Sequence, residues 1–328
     1  MNHSSKIGLW RNAPPTDRDN SGERFPTEFI FPSGRQALSH ALSQAGMSRV
    51  KRVACPEWSS HCLLSAVSRY ATPVPMKEVL HSGLAVDAVL IYEQWGWPLR
   101  TDVWEHLVER FPRVPLIWDR VDSADWLVQT AMPANEIVAD ITSLSKLLGL
   151  PGGGILRGKH GFEVYCKRPL SALTLMLMQT SGNVQDDFEG QEYFKNQGET
   201  VHPSAERWLR ENSLAIALAG ESAARQRNLK ALQRTTLTQH WASWMKQAIA
   251  DGACPGIVPL MSGAEAGAME KALSRLETAH NITGARYHFN WSGNPLEPDY
   301  QPCLAFPVHG QVADIEPILA ALQHFIQI

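Results

Sequence analysis

The sequence predicts an α/β fold: a mostly parallel central sheet flanked by helices, plus a smaller C-terminal α+β domain. From about residue 30, short apolar runs alternate with stretches of helical periodicity, as is typical of β–α–β units. After Gly158 this alternation gives way to mainly helical and then mixed patterns. We therefore predict an irregular polar arm at 1–30, a large domain at 31–200 and a small domain at 201–328.

The first elements follow from capping and periodicity. Ser33 precedes Gln36 by three residues, the spacing of a capping box, and apolar residues then recur at helical spacing to Ala45. Beyond this helix, apolar runs bounded by Gly or Pro predict strands and longer periodic stretches predict helices. The predicted strands are 52–56, 72–75, 88–92, 114–118, 137–144 and 155–157, and the predicted helices are 60–70 and 102–111.

The second half is predicted to be mainly helical from 168 to 250. Pro203-Ser204 begins one helix, and 221–233 belongs to another. From Ile257 the pattern indicates short strands and two helices, one capped by Ser262-x-x-Glu265 and one at 315–326.

Bulk composition narrows the function classes. The chain has 328 residues and a formal net charge of −3, so nothing indicates nucleic-acid or anionic-membrane binding. Its five cysteines form no C-x-x-C pair, which predicts neither a disulfide framework nor a zinc site. The N-terminus lacks the apolar run of a signal peptide, and the apolar run 173–178 is far too short to span a bilayer. We expect a cytoplasmic protein without a metal site.

Lys146 is the strongest candidate for chemistry. It lies between Ser143-Leu144-Ser145 and a glycine-rich turn, Gly152-Gly153-Gly154. Small and apolar neighbours can desolvate an amine and make it nucleophilic, as covalent catalysis by lysine requires. The alternative is an ordinary lysine at a helix start.

Two further features are predicted to meet Lys146 at one edge of the sheet. Ligands of α/β sheets bind beyond the C-terminal ends of the strands. Asp119 ends a predicted strand there, and Ser33-Gly34-Arg35 opens a helix whose N–H groups can bind a phosphate. A carboxylate can keep a pyridine nitrogen protonated, and the lysine can move a proton. Each feature alone could be a plain cap or turn, but their common order indicates a pyridoxal 5'-phosphate enzyme.

The order of these segments resembles the DegT-type sugar-nucleotide aminotransferases of the type I fold. Ser33-Gly34-Arg35-Gln36-Ala37-Leu38 is similar to their phosphate-binding helix start, Asp119 to the aspartate of their Glu-Asp-Ala-Ala motif, and Lys146 to their cofactor lysine. Further segments of that family resemble Cys55-Pro56-Glu57-Trp58-Ser59-Ser60-His61, Tyr92 to Pro98 and Leu304 to His309 of this chain. The resemblance therefore covers about residues 30 to 325.

Three positions depart from that family. Its ring-stacking aromatic is replaced by Ser60, so that Trp58 or His61 would take over the stacking. Asp122 stands where the family has His or Gln against the ring hydroxyl, and a second carboxylate there would repel Asp119 unless it points away. The family's phosphate serine is replaced by Ile141, whereas Ser143 matches the pattern of class I aminotransferases and Ser145 lies close by.

The resemblance implies a pyridoxal-phosphate-dependent aminotransferase. It would move an amino group, with glutamate the expected donor, to a keto sugar carried on a nucleotide, and it would work as a homodimer with active sites at the interface. Related dehydratases have histidine at the lysine position, so Lys146 favours transamination. Another aminotransferase or lyase acting on an amino acid, and a degenerate non-catalytic paralogue, stay open as alternatives.

Two competing phosphate-binding motifs fail. Gly153-x-x-x-x-Gly158-Lys159 continues with His160, where a P-loop needs Ser or Thr for magnesium. The glycine run also lacks G-x-G-x-x-G, because Arg157 occupies the third glycine position. Neither an NTPase nor a dinucleotide enzyme is predicted.

Overall fold

A mixed eight-stranded sheet lies at the centre of the first half of the chain. The computed structural model describes residues 6–15, 23–125, 134, 136–163, 200–239, 241–261 and 266–323. The strands of the sheet are β1 (Ile30–Phe31), β2 (Arg52–Cys55), β3 (Thr72–Pro75), β4 (Ala88–Tyr92), β5 (Leu116–Asp119), β6 (Ile137–Ser143), β7 (Gly154–Gly158) and β8 (Gly161–Phe162).

The strand order is β1-β7-β6-β5-β4-β2-β3, with β8 paired to β7. Strands β2 to β6 pair in parallel, whereas β7 and β1 are antiparallel to their neighbours. This confirms the prediction of a mostly parallel sheet. Strand β7 reverses direction because the turn between Ser143 and Gly154 is too short for a parallel crossover.

Helices cover both faces of this sheet. They are α1 (Gly34–Gln44), α2 (His61–Ser68), α3 (Met76–Ser82), α4 (Thr101–Arg110) and α5 (Leu144–Leu148). Successive residues of β4 point to opposite faces: Leu90 packs in the core with α1 and α2, and Ile91 in the core with α3 and α4. The sequence pattern indicated each of these helices except α3 and the single turn of α5.

A three-stranded antiparallel sheet forms the centre of the C-terminal part. Its strands β9 (Ile257–Met261), β10 (Ala285–Asn290) and β11 (Tyr300–Pro307) lie in the order β10-β11-β9. The helices here are α6 (Pro203–Glu211), α7 (Leu214–Gln233), α8 (Ser243–Ala250), α9 (Ala266–His280) and α10 (Glu316–Gln323). The predicted boundary near residue 200 adjoins 164–199, which lie outside the described residues, as does the predicted cap at 262–265. The boundary stays a prediction.

The N-terminal arm is not merely irregular. Ile7 forms a parallel bridge with Ile282, and Leu9 is buried in the core of the C-terminal part. Residues 7 and 9 of the predicted irregular arm therefore pack against their own chain. No helix within the described ranges combines the length and the apolar character needed to cross a membrane.

Candidate active site

Several of the candidate site residues lie at the C-terminal edge of the large sheet. Tyr92 ends β4, Asp119 ends β5 and Ser143 ends β6. These three strands are neighbours and parallel, so their last residues lie side by side. Lys146 follows directly in the one-turn helix α5, which the left-handed Gly149 ends.

Asp119 is a buried carboxylate at this edge. One of its oxygens accepts a hydrogen bond from the Val121 backbone N–H at 3.1 Å. Burial raises the pKa of Asp119 from 3.8 to about 7, although the nearby Lys146 acts in the opposite direction. Among the described side chains, no Lys, Arg or His nitrogen lies within 4.0 Å of this carboxylate. A buried carboxylate with a raised pKa is suited to bind a cationic group of a ligand, because the cation stabilises its charged form.

Asp122 holds the amine of Lys146. The Lys146 Nζ atom lies 3.3 Å from Asp122 Oδ2, and the lysine side chain is about one-third exposed. The same Oδ2 accepts a 2.6 Å hydrogen bond from the Tyr92 hydroxyl, and Oδ1 accepts a 2.9 Å bond from the indole N–H of Trp10. The desolvated amine expected from the sequence is therefore an ion-paired, partly exposed one. Asp122 does not point away from the site.

A small cradle lies where helix α1 begins. The Ser33 side chain caps the helix by accepting from the Gln36 backbone N–H at 3.3 Å. A Cβ atom on Gly34 would lie 3.2 Å from the Cβ of Ser143 and 3.3 Å from Val121 Cγ1. The helix start and the end of β6 are therefore in close contact, and only a residue without a side chain fits between them comfortably.

Two hydroxyl groups line the same corner. Ser143 Oγ and Ser145 Oγ are 3.0 Å apart. Arg35 lies in the first turn of α1 and is half-buried. A helix N-terminus with adjacent hydroxyl groups is a suitable place for a phosphate.

The residues expected at the ring face lie around the start of α2. Ser60 caps this helix, accepting from the Leu63 backbone N–H at 3.4 Å, and its neighbour His61 is exposed. Trp58 is 55% exposed. Its ring stacks on His288 of β10, with centroids 3.8 Å apart and planes 7° from parallel. Ring stacking by Trp58 or His61 stays a prediction.

An aromatic cleft opens on the other side of Tyr92. It lies between the end of β4 and the small sheet and is partly open to solvent. Its aromatic walls are Tyr92, Trp97, Trp244, Phe289 and Tyr300. Gln94 is fixed at its rim, donating to the His288 carbonyl at 2.7 Å and accepting from the Asn290 N–H at 3.2 Å.

Sequence reasoning missed the buried residues that support the Asp122 loop from behind. Arg225 and Glu221 form a buried pair on α7 at 2.7 Å, and Arg225 Nη1 donates to the Asp122 carbonyl at 2.7 Å. The i,i+4 spacing of the two charges within a largely apolar helix was the one available signal. Trp10 had none, because it lies in a polar segment far from the site in sequence.

Comparisons with known proteins agree with this geometry. Residues 21–161 match the family model described as "Putative PLP-dependent aminotransferase". No protein with a curated description matches the chain. Three solved structures are similar in fold over about nine-tenths of this chain: 3-amino-5-hydroxybenzoic acid synthase, a DegT DnrJ EryC1 StrS aminotransferase from Brucella abortus, and NtdA from Bacillus subtilis with bound cofactor PMP.

These three likenesses establish the fold. The synthase has 16% identity and a TM-score of 0.58, with 91% of this chain and 85% of that chain covered. The Brucella protein has 16% identity and a TM-score of 0.51, with 90% and 85% covered. NtdA has 11% identity and a TM-score of 0.54, with 92% and 73% covered. The chain has the type I fold of these enzymes, and the family match indicates a pyridoxal-phosphate-dependent aminotransferase.

The residues present fit that cofactor. Asp119 is a buried acid whose raised pKa a cationic ring nitrogen would lower. The Gly34 cradle, with Ser143 and Ser145, suits a phosphate. Lys146 supplies a primary amine on the same edge of the sheet.

Proposed function

We propose that this protein is an aminotransferase that takes an amino group from glutamate and delivers it to a keto sugar linked to a nucleotide. The observation that carries the proposal is the placement of Lys146 and the buried Asp119 at the ends of neighbouring strands, beside the Gly34 helix start. Pyridoxal phosphate, when bound, supplies a ring that accepts electrons from the substrate carbon.

Each residue has a distinct task in this proposal. Asp119 holds the proton on the ring nitrogen by its negative charge. Lys146 carries the cofactor and moves a proton at its Nζ atom between cofactor and substrate. The phosphate is bound by Ser33, Gly34, Arg35, Ser143 and Ser145. Asp122, together with Tyr92, orients the lysine amine.

The aromatic cleft supports a sugar as the amino acceptor. Sugar rings pack their C–H faces on aromatic side chains, and Tyr92 joins the cleft to the Lys146 site. The described lining residues include no Lys or Arg. The diphosphate of a nucleotide-linked sugar would therefore extend beyond this cleft.

The cofactor assignment is tested on the purified protein. Borohydride reduction after incubation with pyridoxal phosphate, followed by peptide mapping, should place the adduct on Lys146. The variant Lys146→Arg should lose the adduct and keep its fold, whereas Lys159→Arg, at an exposed lysine, should retain it. An adduct on another lysine, or none, refutes the assignment and leaves the non-catalytic paralogue as the better explanation.

The donor and the reaction type are tested by a half-reaction. Glutamate should convert the bound cofactor to its amine form, with loss of visible absorbance and release of one 2-oxoglutarate per site. Elimination or decarboxylation products from an amino acid, without conversion of the cofactor, would indicate a lyase instead.

We also propose a homodimer, because type I relatives build each site from two chains. Light scattering at micromolar concentration measures the mass directly. A fully active monomer would contradict the proposal.

A further inference from the structure

The N-terminal segment 6–13, termed here the strap, is bonded to the C-terminal part along its length. The Ile7 N–H donates to the Asn281 carbonyl at 2.9 Å, and the Thr283 N–H donates to the Ile7 carbonyl at 2.8 Å. At its other end Asn12 exchanges two hydrogen bonds with the side chain of Gln311, at 2.7 and 2.8 Å. Because both ends are fixed, the residues between them have defined positions.

A buried ion network anchors the middle of the strap. Arg11 Nη1 lies 2.7 Å from Glu221 Oε2, and Arg225 Nε lies 2.7 Å from Glu221 Oε1. The Glu221 side chain is completely buried. Since Arg225 also donates to the backbone carbonyl of Asp122, one network ties the strap and the Asp122 loop to helix α7.

The strap thereby places Trp10 over Lys146. The Lys146 Nζ atom lies 5.2 Å from the centre of the Trp10 ring, within cation–π range. Tyr287 packs against Trp10 edge to face, with centroids 6.3 Å apart. The Trp10 N–H points at the carboxylate of Asp122.

Asp122 divides its two oxygens between different donors. Oδ1 accepts only the Trp10 indole among the bonds seen for it, and Oδ2 accepts Tyr92 and Lys146. The bond from Trp10 therefore fixes which oxygen faces the lysine.

We propose that Trp10 is a positioning residue for Lys146 that acts through Asp122. The inference rests on the proposed function only in taking Lys146 as the reacting amine. Other titratable or charged groups around this pair, among the described residues, include Asp119, Tyr92, Tyr287, Arg225 and His309.

The test is Trp10→Phe in the full chain, with Lys146 labelling as the readout. Phenylalanine keeps an aromatic face over the amine and removes the N–H donor. A time course of competitive acetylation of the cofactor-free protein at one fixed pH, quantified at Lys146 by peptide mass spectrometry, gives the labelling curve of this lysine. We expect Lys146 to be acetylated about threefold faster in Trp10→Phe, because Asp122 without the indole bond can turn and no longer holds the amine in one position.

One mutant background and one control variant make the result decisive. In an Asp122→Asn background, Trp10→Phe should leave the labelling curve unchanged. The control Trp241→Phe removes a buried indole bond to the Pro259 carbonyl; it should lower the melting temperature and leave Lys146 labelling unchanged. An unchanged curve in Trp10→Phe, or a shift that persists with Asn at 122, overturns the inference. Because no cofactor is used, the result is independent of whether the protein transaminates.

Discussion

Asp119→Asn should stabilise the cofactor-free protein, and by more at alkaline than at acid pH. The folded protein keeps a proton on Asp119 up to about pH 7, against 3.8 for the ordinary side chain, because burial disfavours the carboxylate. Between these values the folded state binds more protons than the unfolded state, so its stability falls as the pH rises. Asparagine does not titrate and removes this loss.

The two pKa values set the magnitude. Relative to a side chain that does not titrate, the raised pKa of Asp119 lowers the free energy of unfolding by about 1.5 kcal/mol at pH 5 and about 4 kcal/mol at pH 8. Relative to the wild type, Asp119→Asn should therefore gain about 2.5 kcal/mol of unfolding free energy between these two pH values. The asparagine side-chain oxygen can still accept the hydrogen bond from the Val121 N–H, so the variant does not lose this bond and the effect on stability is not masked.

Denaturant unfolding of the cofactor-free wild type and variant at pH 5 and pH 8 measures this difference. Pyridoxal phosphate at pH 8 should then stabilise the wild type more than the variant, because its ring nitrogen provides the cation that Asp119 lacks. The reasoning is refuted if the stability difference between the two proteins is the same at both pH values, or if it grows in favour of the wild type as the pH rises.

Substitutions at two further positions, Glu221 and Gly34, test other parts of the site. Burial alone would raise the pKa of Glu221, but the charges of Arg225 and Arg11 outweigh burial, so the pKa of Glu221 is lowered. Glu221→Gln should therefore lower the free energy of unfolding by about 3–5 kcal/mol at pH 7. The stability difference from the wild type should shrink as the pH falls below 4.5, where Glu221 of the unfolded chain takes up its proton. Equal destabilisation at pH 7 and pH 3 in urea melts would contradict this. Gly34→Val should weaken cofactor binding about tenfold or more in a titration, with Gly34→Ala intermediate, because the side chain would enter the phosphate cradle. Normal affinity in Gly34→Val would move the phosphate elsewhere.

Six of the eight strands of the central sheet, β2 to β7, could be predicted from short apolar runs, several of them bounded by Gly or Pro; the two-residue strands β1 and β8 were not predicted. The meeting of Asp119 and Lys146 followed from the same pattern, since parallel strands bring their C-terminal ends to one edge. Ser33 could be assigned as a cap from its spacing to Gln36 alone. In each case the information lies within a few residues of the element concerned.

What could not be predicted depends on contacts between distant parts of the chain. Trp10 and Asp122 are 112 positions apart in sequence, and the strap that joins them looks like a polar, irregular arm. His309 is buried against the Gly8 carbonyl at 3.0 Å, and burial lowers its pKa to about 4, although it follows a strand in what reads as a polar turn. The direction of β7 depends on the length of a turn, which apolar periodicity does not encode.

The two aspartates of the candidate site show how a second carboxylate is tolerated beside the one proposed to bind the ring nitrogen. Asp119 has a single backbone donor and a raised pKa, so it stays available to a cationic ring nitrogen. Asp122 is instead satisfied by Lys146, Tyr92 and Trp10. If Lys146 carried the cofactor, as proposed, the neutral donors Trp10 and Tyr92 would still hold Asp122 in place. A chain with Asp at this position therefore needs donors such as Trp10 and Tyr92, and the strap supplies one of them.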